Sequence, residues 1–227
     1  MQRVEDSTID EARDGMFLPL RRALHGEPKS RKLTSEGGVV WLTGLSGSGK
    51  STLASAAAKA LSAHGMRSAV LDGDILRRGL NSDLNFSACD RHESVRRAAE
   101  VASMLANEGL IAIVALISPL VQMRAHAREI IGDRFREIYV KAQLSRCEAA
   151  DVKGLYAKAR RGEIAGFTGI SAPYEAPLDA DLVLDTDAQT VGQCVSALAS
   201  YVELQFVASW DTRGRSEWNG FRSINEA

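Results

Sequence analysis

A doubly wound α/β domain on a five-stranded parallel sheet is the fold this sequence predicts, and three observations carry the prediction. Short β-rich runs alternate with helical stretches from residue 38 onward. The run at 110–117 is uniformly apolar, which suits a strand covered on both faces and not one with a wet side. A glycine-rich loop joins the first run to the first helix.

Taken in order, the first run is Val39-Val40-Trp41-Leu42-Thr43, followed by glycines and an Ala-rich helix over 50–64 with Gly65 as its stop. A second strand at 67–71 leads into Asp72-Gly73-Asp74. Residues 91–108 set Val95, Ala98, Ala99, Ala102 and Leu105 at helical spacing, ended by Gly109. The third strand, 110–117, is halted by Ser118-Pro119, and two more strands are expected at 136–141 and 181–184. Helical stretches lie between them, and a last helix spans about 190–206. Three glycines and two prolines break up 162–180, and so long an irregular connection reads as a binding lid, centred on 162–176. Residues 1–36 have few apolar side chains to offset the entropy of ordering and read as an arm. The domain is assigned to 37–202. Residues 203–227, with Trp210 and Trp218, form an extension that either packs back or meets a partner.

The chain has 227 residues, enough for one self-sufficient core. With 28 basic against 29 acidic residues its net charge is -1, which argues against nucleic acid or an anionic membrane as a partner. The three cysteines, Cys89, Cys147 and Cys194, include no C-x-x-C pair and are expected to be small buried thiols, neither disulfides nor metal ligands. The polar N-terminus and the absence of a long apolar run predict a soluble cytoplasmic protein.

Gly44-Leu45-Ser46-Gly47-Ser48-Gly49-Lys50-Ser51 fits G-x-x-x-x-G-K-[ST] in full. Glycines allow the backbone to wrap a triphosphate with its N–H groups turned inward, and the following helix presents its positive dipole end. Lys50 is placed to reach the β- and γ-phosphates, and the Ser51 hydroxyl to take a position on Mg²⁺. The motif predicts binding of a nucleoside triphosphate.

Residues past the second strand suggest a second, anionic substrate. Asp72 and Asp74 stand at a carboxyl end that faces the phosphate loop, where a carboxylate can serve a metal or an acceptor hydroxyl. Arg77, Arg78, Arg91, Arg96 and Arg97 come next, with Arg77 and Arg91 the first candidates for an anion clamp. Phe86 and Phe167 lie in loops and offer flat apolar faces to a base.

From about residue 38 to 201 the chain resembles the adenylylsulfate kinases, P-loop small-molecule kinases. The matching blocks are GLSGSGKST at 44–52, LDGD at 71–74, R-x-GLN-x-DL-x-FS ending at Ser87, DR at 90–91 and RR at 96–97. Further blocks are ISP at 117–119, KGLY-x-KAR at 153–160, GEI-x-x-FTGI and PYEAP. The resemblance implies transfer of the ATP γ-phosphate to the 3′-hydroxyl of adenosine 5′-phosphosulfate (APS), giving PAPS in sulfate assimilation. It implies that the loop from Gly44 to Thr52, with Arg160 and Thr186, binds ATP. Asp74 would serve Mg²⁺ and the acceptor hydroxyl. Arg77, Phe86, Arg91, Ile117, Ser118, Lys153, Leu155 and Phe167 would form the APS pocket, the two phenylalanines stacking on adenine. Bacterial members are often assigned a phosphoserine at the position of Ser118, although direct in-line transfer needs only positioning and charge neutralisation. Members are often homodimers. The chain departs from the family pattern at Ile75, Asn85, Ser94, Leu116 and Ala150. A paralogous kinase on another nucleotide-linked acceptor, or a nucleotide-gated regulatory module, stands as the alternative.

Overall fold

The computed structural model describes residues 36–151 and 153–207. Five parallel strands, β1 (Gly38–Thr43), β2 (Ser68–Asp72), β3 (Ile111–Ala115), β4 (Phe135–Lys141) and β5 (Leu182–Asp185), lie in the order β2-β3-β1-β4-β5. This is the predicted doubly wound sheet. Among the described residues seven α-helices accompany them: α1 (Lys50–Ala63), α2 (Gly73–Leu76), α3 (Ala88–Asn107), α4 (Val121–Ile131), α5 (Leu144–Ala149), α6 (Leu155–Arg160) and α7 (Val191–Phe206).

Alternation along β1 explains why its apolar run is unbroken. Val40 and Leu42 pack with Leu53, Leu61 and Leu198 of α1 and α7, while Val39 and Trp41 pack with Val95 and Ala102 of α3 and Met123 of α4. All six residues of β1 are buried, as a central strand between two helical layers must be. The Trp41 and Phe135 rings meet at 5.8 Å on the α3/α4 side.

Two boundaries differ from expectation, each for a local reason. β3 stops at Ala115 and not at 117, since Ser118 takes a left-handed φ of 37° that no strand accommodates. Asp72-Gly73-Asp74 is the start of α2, with the Asp72 side chain accepting from the Asp74 N–H at 2.9 Å. α7 ends at Phe206, where the sequence places the end of the last helix, with Val202 and Phe206 both buried in the α1/α7 core. Phe206 fills the space over Gly38, where a Cβ would lie 2.0 Å from its ring. The arm through residue 35 and the tail from 208, with Trp210 and Trp218, lie outside the described residues.

Cys147 and Cys194 are buried as expected, but Cys89 is exposed on the first turn of α3; all three are free thiols. No described helix is long and apolar enough to cross a membrane.

Candidate active site

The carboxyl ends of β1, β2 and β3 gather the site. After Thr43 the chain turns under Val140, where a Cβ at Gly44 would meet the Val140 carbonyl oxygen at 2.4 Å, so only glycine passes there. Gly49 takes φ 99° at the N-terminus of α1, a conformation that turns the loop into the helix. Ser51 and Thr52 are exposed on that first turn.

Lys50 is buried, and its ammonium is held by the loop itself. It donates to the carbonyls of Gly44 at 2.9 Å and Leu45 at 2.6 Å, with Ser48 Oγ at 3.4 Å. Burial lowers its pKa to about 8, against the opposing pull of Cys147, Asp72 and Asp74. A sharp pH dependence is the consequence. The phosphate-binding form is the protonated one, so kcat/KM for ATP is expected to fall about tenfold per pH unit above about 8. The limb in kcat lies at higher pH, since phosphate oxygens beside the ammonium favour its charged form. Initial rates between pH 6 and 10 check both limbs. A flat kcat/KM through pH 9 would contradict the assignment.

Thr186, after β5, sets its hydroxyl against the phosphate loop, 3.3 Å from Ser48 O and 3.1 Å from Lys141 O. Arg160 pairs with Glu148 at 2.6 Å.

On the acceptor side, Asp72 is buried and spent on capping α2, whereas Asp74 is exposed and ion-paired with Lys153. Two candidates 79 positions apart are thereby joined. Arg77 lies 4.1 Å from the centre of the Phe86 ring and donates to Asn85 O at 3.2 Å. Arg91 spreads its fork over three acceptors: Phe86 O at 2.9 Å, Thr168 Oγ1 at 2.9 Å and Gly166 O at 2.6 Å. It therefore ties the segment bearing Phe86 to the lid residues on either side of Phe167. The two rings themselves pack on different partners, Phe86 on Arg77 and Phe167 edge-on to Tyr156 at 4.9 Å. Burial lowers the pKa of both guanidinium groups.

The cluster of five arginines shrinks to two at the crevice. Arg96 and Arg97 both pair with Glu93 at 2.8 Å, and Arg97 also reaches Asp83 at 2.6 Å. Hydrogen bonds from this pair pull the Glu93 pKa down to about 2. Arg97 braces the 80–83 turn against α3, since it also donates to Leu80 O at 2.8 Å, while Arg96 pairs along α3 with Glu93 and Glu100. Arg78 is exposed.

Ile117 is half-buried, and its carbonyl accepts from Thr43 Oγ1 at 2.7 Å. Ser118 is buried, with Oγ accepting from the Trp41 indole N–H at 3.0 Å. That places Ser118 in the wall of the crevice as a braced turn residue. Leu155 is half-buried at the start of α6, its N–H donating to Asp151 Oδ1 at 2.9 Å.

Sequence reading missed Tyr156, Thr43 and Arg124. Tyr156 donates its hydroxyl proton to Ser46 O at 2.9 Å, so one side chain touches both the phosphate loop and Phe167. Burial pushes its phenol pKa up. Its block, KGLY, was legible, but the tyrosine read as an ordinary helix residue. Between Leu45, Tyr139, Leu144 and lid residues Gly169, Pro173 and Tyr174 lies a cavity of about 610 Å³.

The donor set suits Mg²⁺. Ser51 and Asp74 offer hard oxygen ligands, and among the described residues no group of three His, Cys, Asp or Glu forms a cage. An ion that draws most of its shell from phosphate oxygens and water needs no more than this.

Comparison with known proteins agrees with this geometry. The family model described as adenylylsulphate kinase matches residues 36–185. An adenylyl-sulfate kinase of Paraburkholderia xenovorans is 54% identical over 168 residues, which cover 74% of this chain and 94% of the relative. Among solved structures, the Mycobacterium tuberculosis APS kinase in complex with AMPPNP and APS superposes with a TM-score of 0.71 at 46% identity, covering 74% of this chain and 98% of that one. A gluconokinase from Sinorhizobium meliloti, 16% identical with a TM-score of 0.52 over 82% of this chain and 100% of its own, shares the fold alone.

Proposed function

The chain belongs to the adenylylsulfate kinase family, and on that premise we propose how its crevice carries out the family's reaction. The protein transfers the γ-phosphate of ATP to the 3′-hydroxyl of APS. The observation that carries the mechanism is the double attachment of Tyr156, which holds the donor loop and the acceptor-side ring of Phe167 in one frame.

The backbone of Gly44 to Thr52 binds the triphosphate, with Thr186 beside it and Arg160 toward the base. Lys50 exchanges its carbonyl partners for phosphate oxygens and stabilises the charge that spreads over the transferring group. Ser51 and Asp74 would hold Mg²⁺, which when bound would neutralise phosphate charge. Arg77, Arg91 and Lys153 receive the phosphosulfate, and Phe86 and Phe167 flank the adenine. As Lys153 turns to that anion, the Asp74 carboxylate with which it is paired becomes available to orient the 3′-hydroxyl and accept its proton. Transfer is direct and in line, with Ile117, Ser118 and Leu155 shaping the wall. The lid at 162–176, tied down at its tip by Arg91, excludes water, the competing acceptor. The same reading extends to a homodimer in the cytoplasm, where ATP is supplied.

The direct test is to mix protein, Mg-ATP and APS and follow ADP. ADP is expected only when APS is present; the same ADP release without APS would contradict the assignment. A second variant isolates the stacking role. Removing one aromatic face from a base costs about 1–3 kcal/mol, so Phe167→Ala is expected to raise the KM for APS roughly 5- to 150-fold. Its KM for ATP stays within about threefold by the same reasoning. Equal losses for both substrates would show that Phe167 shapes the whole crevice and does not stack.

A further inference from the structure

We propose that Arg124 is a positioning residue that fixes the acceptor wall, by holding the turn at 117–119 and the descending limb of the lid to one buried post. The inference rests on the kinase reading of the crevice. Arg124 lies on α4 and is 2% exposed. Its planar fork serves three separate elements: Nε donates to Glu137 Oε1 of β4 at 2.5 Å, Nη1 to Ser118 O at 2.9 Å and Nη2 to Glu175 O at 2.8 Å. None of these bonds goes to the phosphate loop.

The post holds a strained turn on one side and a stapled limb on the other. Ser118 carries a side chain at φ 37°, immediately before a proline, and such a conformation persists only where its surroundings over-determine it. The restraints are Arg124 on its carbonyl, Thr43 Oγ1 at 3.4 Å from the same oxygen, and Trp41 on its hydroxyl. On the lid side, the Glu175 N–H donates to Pro119 O at 2.8 Å, and the Glu175 carboxylate accepts from the Val121 N–H at 2.7 Å. Tyr174 OH meets Thr43 Oγ1 at 3.0 Å. The limb at 174–175 is therefore tied to β1, the turn and the start of α4, while the tip at 166–168 is held by Arg91. Leu116, the residue just before the turn, backs the start of α2 that bears Asp74, since a Cβ at Gly73 would lie 2.8 Å from Leu116 Cδ2. Loosening the post thus shifts the surfaces that receive the acceptor and leaves the donor loop in place.

Arg128 supplies the control. It reaches Glu137 from the same helix at 3.6 Å and Asp181 at 3.5 Å, yet bonds neither the turn nor the lid. The experiment compares Arg124→Lys with Arg128→Lys, using steady-state kinetics for both substrates and hydrogen exchange of the 172–176 peptide. Lysine keeps the charge beside Glu137 but cannot span three acceptors. Arg124→Lys is expected to raise the KM for APS at least about tenfold, with the KM for ATP within about threefold, and to speed exchange in 172–176 about tenfold. Arg128→Lys is expected to leave all three within about twofold. Should Arg124→Lys not fold, Glu175→Ala, at an exposed side chain, removes one staple and is expected to raise the APS KM about three- to tenfold. The proposal is overturned if Arg124→Lys behaves like Arg128→Lys, if it weakens both substrates equally, or if Glu175→Ala leaves the APS KM unchanged. Absence of APS-dependent turnover in the unaltered protein would remove the kinase reading instead, and the exchange comparison would still decide whether Arg124 is the post.

Discussion

Replacing Lys50 with alanine is expected to lower kcat by at least about 10³-fold, because the ammonium is the one side-chain cation that the phosphate loop itself carries. In water such a charge would be worth little. In this structure it is buried among carbonyls, where a charge developing on the transferring phosphoryl group meets little screening. Folding is not expected to suffer. The lowered pKa records that the native site disfavours the ammonium relative to the unfolded chain, so the variant relieves an unfavourable burial and its melting temperature is expected to stay or rise. Turnover and thermal unfolding on the same preparation check this. A folded Lys50→Ala protein with more than a tenth of the original kcat would place the phosphate-stabilising charge elsewhere.

Arg91→Ala is expected to carry the largest loss on the acceptor side. Each of its three bonds ends on a loop that has no regular structure of its own: Phe86 O before α3, and Gly166 O and Thr168 Oγ1 in the lid. Charge-assisted bonds are worth about 1.5–3 kcal/mol each when buried. Arg91 is only partly buried and water replaces some of that, so about 2–3 kcal/mol in total is the reasonable figure. It corresponds to a roughly 30- to 150-fold rise in the KM for APS, with the KM for ATP within about threefold. Arg91→Lys is not expected to rescue, because one ammonium cannot serve acceptors on two loops in the plane that the guanidinium spans. Steady-state kinetics with each substrate varied in turn measures the split. A rise confined to ATP would mean that the tie belongs to the donor side.

Much of this was legible in the sequence because the informative residues answer to local rules. The glycines of 44–49 announce a loop that must pass close to other backbone, and the unbroken apolar runs of β1 and β3 announce burial on both faces. What escaped was set partly by local pairings that compete with a functional role and partly by tertiary partners. Arg96 and Arg97 looked like a clamp, although Glu93 and Glu100 stand at helical spacing from them and already offered the bland pairing. Asp72 resembled a ligand and is a helix cap, a role hidden until α2 is seen to begin one residue later. Tyr156 and Arg124 each look like an ordinary helix residue. Their partners lie 110 and 51 positions away, at Ser46 and Glu175, where no periodicity reaches. Cys89 defied its class average, exposed on the first turn of α3.

The most direct measurement tracks the phosphorus atom itself. The protein is incubated with APS and ATP labelled in the γ-phosphate, and the nucleotides are separated. The account predicts that label appears as a monoester on the 3′-oxygen of the sulfated nucleotide, in step with ADP. Label released as inorganic phosphate at one rate with or without APS, or the 3′-hydroxyl left unmodified while ADP accumulates, would contradict it.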